Sequence, residues 1–464
     1  MINRKNIFSG IKKIHLTGIG GIGMSGIAEY LNKKGFEISG SDAALSQVTR
    51  RLEHSGIKIF EGHSGDNIEK NCELIIYTSA VSSSNPELDK ARKLGIKTVK
   101  RAEALGNIVN DKFLIAVSGT HGKSTTTAMI AKILIDNKFD PTVFVGGNLD
   151  FLNESNYRIG KSEIAVVEAD EYDRSFHHLK ADIAVITNIE SDHLDIYFDI
   201  DDIKTSFKKF LENSKKELKI IACGDDLNNT DIIKKFRHKT TYGFNKSNDF
   251  VISEVNQFSN KVNFLLKDQE LMIKVMGNHN MLNASAAFLV GREFKINAEN
   301  FNGSLKTFFG VKRRLELKYE NGLRVFDDYA HHPTEVKATI EALRKIYKGR
   351  LITVFQPHLY TRTRDFYREF GESFSGTDIL ILTKIYPARE EAIEGITSEL
   401  ILAEYKKSGK QGFYSESKEN LLNELEDMTE NGDVIAFLGA GDITEYCTEF
   451  ILRIKTKTKD TVPL

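Results

Sequence analysis

Short apolar runs alternate along most of the chain with longer stretches whose apolar residues recur every three or four positions. Ile14-His15-Leu16-Thr17 reads as a buried strand, followed by a glycine-rich turn and a helix over 24–34. Residues 36–39 and 74–78 are further strands, and such alternation predicts a parallel sheet covered on both faces. A second unit begins near Lys112. Phe113-Leu114-Ile115-Ala116-Val117 is a strand, and the helix 124–137 carries Met129, Ile130, Ile133 and Leu134 on one stripe. Strands at 164–167 and 183–187 each run into polar clusters, and 240–276 alternates apolar with polar, as a small antiparallel sheet does. Gly277 opens a loop before a helix over 284–290. Beyond Gly322, strands at 324–326, 351–355, 379–382 and 434–438 are separated by helices, and the polar stretch 455–464 is expected to be frayed. The predicted fold class is α/β with three domains, 1–108, 109–320 and 321–464. The first and last are Rossmann-like, and the central one is a mixed sheet with a phosphate loop and a small antiparallel sheet.

Length agrees with this division, since 464 residues at roughly 150 per domain suggest about three domains. Net charge is −1, so no global bias toward nucleic acid or a membrane surface exists, and neither is an expected partner. Cys72, Cys223 and Cys447 lie far apart with no metal-ligand spacing, which fits a reducing compartment. Met1-Ile2-Asn3-Arg4-Lys5 leads into no signal-like apolar segment, and no window of ~18 apolar residues occurs. A cytoplasmic location is expected, with monomer or homodimer left open.

Several strand ends carry candidate chemistry. Gly18, Gly20 and Gly23 follow the dinucleotide fingerprint, whose tight turn and missing side chains let a diphosphate approach a helix N-terminus. Asp42 stands about where an acid meets a ribose hydroxyl. The spacing reads diphosphate without deciding the nucleotide, and an empty strand–helix turn is the plain alternative. Gly119-Thr120-His121-Gly122-Lys123-Ser124 is a shortened phosphate loop, with backbone amides and Lys123 for phosphates and Ser124 for magnesium. Thr125, Thr126 and Thr127 follow, an unusual helix opening that ligand contact would explain. Glu168, Asp170, Glu171 and Asp173 crowd carboxylates where a sheet binds ligands, and hard oxygens suit magnesium; a solvated acidic loop explains them equally. His193, in Ser191-Asp192-His193-Leu194-Asp195, is a candidate metal ligand or phosphate contact. Asn278-His279-Asn280 and Asn283 offer amides suited to adenine, or simply helix caps. Lys312-Arg313-Arg314 could neutralise phosphate. Two further strand ends, Asp327-Asp328-Tyr329-Ala330-His331-His332-Pro333 and Gln356-Pro357-His358-Leu359-Tyr360-Thr361-Arg362, are dense in polar groups, and Arg362 could clamp a carboxylate. Gly439-Ala440-Gly441-Asp442 leaves room for a small ligand.

Taken in order, these segments resemble the amino-acid ligases of cell-wall peptide synthesis, the Mur ligases. The resemblance rests on GIGGIGMSGIAE at 18–29, GTHGKSTTT at 119–127, EADEYDRSF at 168–176, NIESDHLD at 188–195, NHNMLNA at 278–284, GVKRRLE at 310–316, DDYAHHPTE at 327–335, FQPHLYTRT at 355–363 and LGAGDI at 438–443. GIGMSGIAE and DDYAHHPTE point to the alanine-adding member. The resemblance implies an ATP-dependent ligase that joins L-alanine to the lactyl carboxylate of UDP-N-acetylmuramate through an acyl phosphate. Gly18, Gly20, Gly21, Gly23, Ser41 and Asp42 would hold the UDP-sugar. ATP would lie on Gly119, Thr120, His121, Gly122, Lys123, Ser124 and Thr125, with His279, Asn280, Asn283, Arg314 and Asp328 as further contacts. Ser124 and Glu168 would ligate magnesium, for which manganese substitutes, His193 would ligate a second metal ion, and Lys123, Glu168 and His193 would carry catalysis. Tyr329, His358 and Arg362 would line the alanine site. Two departures stand out: Ser124 replaces the family's usual Thr and keeps its hydroxyl, and Leu359 stands where some members carry a basic residue. The rival readings are a sister ligase that adds another amino acid or a recycled peptide, a nicotinamide-dependent oxidoreductase, and a non-catalytic nucleotide binder.

Overall fold

A computed structural model describes residues 6–194, 196–258, 261–388 and 390–460. Asp195, the last residue of the NIESDHLD stretch, lies outside the described residues, as do 1–5 and 461–464 at the two ends. The chain forms two compact units: one holds 1–256, 263–274 and 281–308, the other 257–262, 275–280 and 309–464.

The first unit contains two sheets. The N-terminal sheet is wholly parallel, from β1 (Lys13–Thr17), β2 (Glu37–Asp42), β3 (Lys58–Glu61), β4 (Leu74–Tyr77) and β5 (Lys97–Lys100), in the order β3-β2-β1-β4-β5. Helices α1 (Ile22–Lys33), α2 (Gln47–His54), α3 (Pro86–Leu94) and α4 (Arg101–Val109) supply the connections. Its strand C-termini share one edge, which gathers Gly18, Asp42 and the residues after β3 and β4.

The central sheet has ten strands. β6 (Phe113–Ser118), β7 (Thr142–Leu149), β8 (Ser155–Arg158), β9 (Ile164–Glu168), β10 (Ile183–Ile186), β11 (Lys219–Cys223), β12 (Lys239–Gly243), β13 (Phe250–Gln257), β14 (Val262–Leu266) and β15 (Gln269–Ile273) lie in the order β15-β14-β13-β12-β11-β10-β6-β9-β7-β8. The alternating stretch 240–276 thus does form strands, and they extend one edge of this sheet. β6 sits between β9 and β10, both parallel to it, so the phosphate-loop strand is buried at the centre of the sheet. Around it are α5 (Lys123–Asp136), α6 (Ile200–Asn213), α7 (Leu227–Ile233), α8 (Asn278–Glu293) and α9 (Ala298–Leu305). The helix predicted over 124–137 is α5, and it is buried from Ser124 to Leu134, which explains why its apolar residues extend beyond a single stripe. One apolar core runs through both sheets, including Ile14, Leu16, Ile27, Leu114, Phe144, Tyr157, Val167 and Ile186. Gly26 lets α1 close on β8: a Cβ there would stand 3.3 Å from that of Tyr157.

The second unit is built on a six-stranded sheet. β16 (Glu316–Asn321), β17 (Leu323–Asp328), β18 (Leu351–Phe355), β19 (Ile379–Leu382), β20 (Gln411–Tyr414) and β21 (Val434–Leu438) are ordered β16-β17-β21-β18-β19-β20, with only β16 antiparallel to its neighbour. Helices α10 (Pro333–Ile346), α11 (Tyr360–Ser373) and α12 (Glu399–Lys406) cover the core around Phe355 and Leu380. Helices α13 (Lys418–Met428) and α14 (Ile443–Asp460) cover the one around Ile352 and Phe437. The fraying expected from Lys455 onward does not begin there. Helix α14 continues to Asp460, its first turns anchored by the buried Ile443, Cys447 and Phe450.

Candidate active site

The glycine loop after β6 is held open by its neighbours. Gly119 (φ +135°) and Gly122 (φ +84°) are left-handed, and a Cβ would meet Thr187 Oγ1 at 2.0 Å and Asn283 Oδ1 at 2.5 Å respectively. No side chain fits either place. Asn188, just past β10, braces the loop: its carbonyl accepts from Thr120 N at 2.9 Å, and its Oδ1 accepts from His121 N at 2.8 Å. The loop then opens α5 with its first amides unpaired within the helix, an arrangement that attracts anions.

Lys123 Nζ donates to Gly119 O (2.6 Å), Thr120 O (3.0 Å) and Glu171 Oε1 (2.8 Å). Burial pulls this ammonium down, yet the carboxylates of Glu171, Asp170 and Glu168 more than offset it and hold Lys123 above its usual range. Glu171 is itself buried. Burial outweighs Lys123 and lifts its carboxyl above the ordinary range, and its Oε2 has no hydrogen-bond partner. His193 Nε2 stands 3.8 Å from both Glu171 Oε1 and Asp192 Oδ2, on a backbone held left-handed at φ +55°. Ser124 Oγ donates to Glu168 Oε1 at 3.0 Å, and Gly146 N donates to Glu168 Oε2 at 2.6 Å. The structure therefore brings Lys123, Ser124, Glu168, Glu171 and His193 together at the C-terminal ends of β6, β9 and β10.

Some predicted site residues carry internal duties. Thr126 Oγ1 donates to Asn283 Oδ1 (3.1 Å) and Thr127 Oγ1 to Lys123 O (2.8 Å), so these two buried hydroxyls are spent inside the fold rather than on a ligand. Thr125 is buried beside them. Asn283 packs on the loop itself, at Gly122.

At the N-terminal sheet, Gly18 (φ +80°) has no room for a Cβ, which would lie 2.5 Å from Thr78 Cγ2. Gly18 N and Ile19 N donate to Ser41 O at 2.8 and 2.9 Å, and Gly21 is the residue before α1. Asp42 Oδ2 accepts from Gly20 N at 2.8 Å, so this carboxylate braces the glycine turn. Beside Gly23 lies the Arg101 guanidinium, whose Nη1 would stand 3.0 Å from a Cβ there, and whose Nη2 is 3.8 Å from Asp170 Oδ2.

In the second unit, Arg313 and Arg314 both lie against the Tyr329 ring, at 5.0 and 5.2 Å from its centroid. Arg314 Nη1 pairs with Glu335 Oε1 at 3.3 Å. Asp328 is buried and accepts from Leu315 N, Ala330 N and Thr339 Oγ1 at 2.8, 2.8 and 3.0 Å; burial pushes its carboxyl up to about 6 against the pull of Arg314. His279 and Asn280 belong to this unit. Burial pushes His279 down to about 4, with Arg314 adding to the effect, and Asn280 Nδ2 donates to Met276 O at 2.7 Å. His358 stacks on Tyr386, with ring centroids 5.7 Å apart, and Arg362 Nη1 lies 3.3 Å from His358 Nδ1. Leu359 is left-handed at φ +74°, a costly conformation for a branched side chain.

The Mur ligase middle-domain model matches residues 117–291. The Mur ligase family catalytic-domain model matches 13–113, and the Mur ligase glutamate ligase domain model matches 313–441. The UDP-N-acetylmuramate–L-alanine ligase of Clostridium tetani is 44% identical over 443 residues, covering 93% of this chain and 96% of that protein. The chain belongs to the Mur ligase family. The enzyme of the same name from Geotalea daltonii is 40% identical over 457 residues, covering 97% of this chain and 99% of that one. The crystal structure of the UDP-N-acetylmuramate–alanine ligase from Thermotoga maritima has a TM-score of 0.83 at 28% identity, over 96% of this chain and 99% of that one.

Membership accounts for the order of the motifs along this Mur ligase chain. Sequence reasoning gave no role to Arg101 or Asn188 and named Glu171 only within a group of acids suited to magnesium, although all three touch the loops it singled out. Glu171 was visible only as one of several acids, and nothing in the spacing separates the buried one from its solvated neighbours. Arg101 opens α4, remote in sequence from both Gly23 and Asp170. Among the described residues, no helix is long and apolar enough to cross a membrane.

Proposed function

We propose that this Mur ligase joins L-alanine to the lactyl carboxylate of UDP-N-acetylmuramate at the cost of ATP, by way of an acyl phosphate. A carboxylate resists amines because its delocalised charge repels a nucleophile, so it must first be activated. Its oxygen attacks the γ-phosphorus, the bond to the β–γ bridging oxygen breaks, and ADP leaves. The neutral amine of alanine then attacks the acyl carbon, and phosphate departs as the amide forms.

The observation that carries this reading is the cluster at α5. A buried ammonium, a helix N-terminus and a hydroxyl–carboxylate pair converge on one glycine loop. In the bound state Lys123 exchanges its loop carbonyls for phosphate oxygens and offsets charge on the transferring group, while the first amides of α5 donate to the β-phosphate. Ser124 Oγ and Glu168 Oε1, 3.0 Å apart, are hard oxygen donors that would hold a magnesium ion, and His193, which faces Glu171, would ligate a second metal ion. A magnesium ion held by Ser124 and Glu168 would supply positive charge to offset that of the transferring phosphoryl group. Gly18, Gly20, Gly21 and Gly23 leave the N-terminus of α1 open to the sugar's diphosphate, and Arg101 stands ready as its counter-charge. Tyr329, His358 and Arg362 are the residues we assign to the amino acid, with Arg362 as carboxylate anchor. We assign the reaction to the cytoplasm, the location expected for an enzyme that draws on ATP and a UDP-sugar.

Hydroxylamine tests the acyl phosphate. With ATP, Mg2+ and UDP-N-acetylmuramate but no alanine, hydroxylamine should yield the hydroxamate of the muramyl nucleotide together with ADP. ADP release without hydroxamate, at full activity with alanine, would point to a route that bypasses the intermediate.

A further inference from the structure

Beneath the first glycine loop lies a carboxylate that the proposed chemistry does not use. Glu87, near the start of α3, is wholly buried and is the hub of a polar cluster inside an otherwise apolar sheet. Its Oε2 accepts from Thr17 Oγ1 (2.7 Å) and Ser41 Oγ (2.8 Å), and faces His15 Nε2 at 3.3 Å; its Oε1 accepts from Asn67 Nδ2 (2.8 Å). These partners come from β1, from β2 and from the segment after β3. Ser41 is also the residue whose carbonyl holds Gly18 and Ile19. A buried charge with four donors around it is expensive to assemble and easily served by an apolar substitute, unless its direction matters.

The direction is readable from proton counting. A serine hydroxyl has one proton, and Ser41 gives it to Glu87. His63 Nδ1 lies 2.9 Å from Ser41 Oγ and 3.8 Å from Glu87 Oε2, so both neighbours of that nitrogen present lone pairs. Nδ1 must therefore carry the hydrogen, and in the neutral ring Nε2 is then an acceptor. The His63 side chain is 22% exposed, and among the described residues no hydrogen bond engages Nε2.

We infer that Glu87 is a positioning residue for the UDP-sugar, acting through Ser41 to hold His63 with Nδ1 as donor and Nε2 as an acceptor for a donor group of the ligand's nucleoside or sugar. The inference rests on the assignment of the N-terminal glycine loop to the UDP-sugar. Uracil's imide N–H and the sugar hydroxyls are the donors available to such an acceptor. A glutamine in place of Glu87 keeps the shape. It has one acceptor oxygen where the carboxylate has two: keeping Asn67, which Gly62 O already holds in that orientation, turns the amide N–H toward Thr17, Ser41 and His15, so Ser41 is released and His63 loses its fixed tautomer.

The test uses the full chain and measures UDP affinity by calorimetry, with KM for ATP from phosphate release. Glu87→Gln and His63→Ala should each weaken UDP on the order of tenfold, as removal of ligand-orienting partners does elsewhere. The double variant should be no weaker than His63→Ala alone, because both act on one contact. KM for ATP should move by less than about twofold, since its loop lies on another sheet. Unchanged UDP affinity in Glu87→Gln overturns the inference. So do losses that multiply in the double variant, or an equal loss of ATP affinity, which would mark a merely structural role. If Glu87→Gln does not fold, Ser41→Ala breaks the same relay, and wild-type UDP affinity there overturns it as well. A wild-type chain that fails to bind UDP overturns the assignment of the loop itself, whereas binding unaffected by these substitutions removes only the role of Glu87.

Discussion

Lys123 and Glu171 form a pair in which each side chain is costly without the other. Their side chains are 13% and 4% exposed, so removing the lysine strands a buried carboxylate. Lys123→Ala should abolish nearly all turnover and also destabilise the first unit by about 3 kcal/mol, the scale of a broken buried pair. The stranded Glu171 then binds a proton more readily folded than unfolded, so this loss should shrink as pH falls from 7 toward 5. Adding Glu171→Gln should recover most of the stability at neutral pH without restoring activity; urea unfolding alongside phosphate release checks both. His279 gives a second titration with the opposite sign. It is held down at about 4 in the folded chain and titrates near 6.5 when unfolded. As pH falls from 6.5 to 4 the unfolded state gains the proton first, so stability is lost through that window. At about 1.4 kcal/mol per unit the loss is at most about 3 kcal/mol. In His279→Gln the unfolding midpoint of the second unit should vary less with pH over that window, and an unaltered slope would count against a buried neutral imidazole.

Among the elements, the phosphate loop depends on two left-handed glycines. Gly122→Ala places a methyl 2.5 Å from Asn283 Oδ1 at φ +84° and should cost about 1–2 kcal/mol in backbone strain alone. Because the strain falls on the amides that would face phosphate, its KM for ATP should rise well beyond what the change in unfolding midpoint accounts for; the two measurements made on one preparation decide it. Much of this architecture could be read from the chain. The central strands β6, β9, β10 and β21 each hold four or five consecutive apolar residues, as a strand buried on both faces requires. Strands β3 and β5 carry lysine or glutamate at their ends (Lys58-Ile59-Phe60-Glu61 and Lys97-Thr98-Val99-Lys100), and four residues at a sheet edge leave no periodicity to detect. In the site, the glycine and lysine positions followed from local spacing. The pairing of Lys123 with Glu171, the seat of Arg101 beside Gly23 and the hub at Glu87 did not, because each joins segments far apart in sequence. Thr126 and Thr127 make the same point from the other side: an odd composition suggested a ligand, and tertiary packing explains it.

As a whole molecule, the chain gathers its candidate groups where α/β folds place them, at the C-terminal edges of three mainly parallel sheets. Two of those sheets share one core, so the glycine loop after β1 and the phosphate loop after β6 belong to a single compact unit. The residues assigned to alanine lie in the other unit, with a core of its own. The proposed reaction needs a nucleotide, an activated acid and an amine, and each has a strand-end cluster suited to its charge. The most direct test is phosphate release by the purified chain given ATP, Mg2+ and UDP-N-acetylmuramate, with each amino acid supplied in turn. The account predicts release that depends on the muramyl nucleotide and is fastest with L-alanine. No release with any amino acid, or release that ignores the muramyl nucleotide, would contradict it.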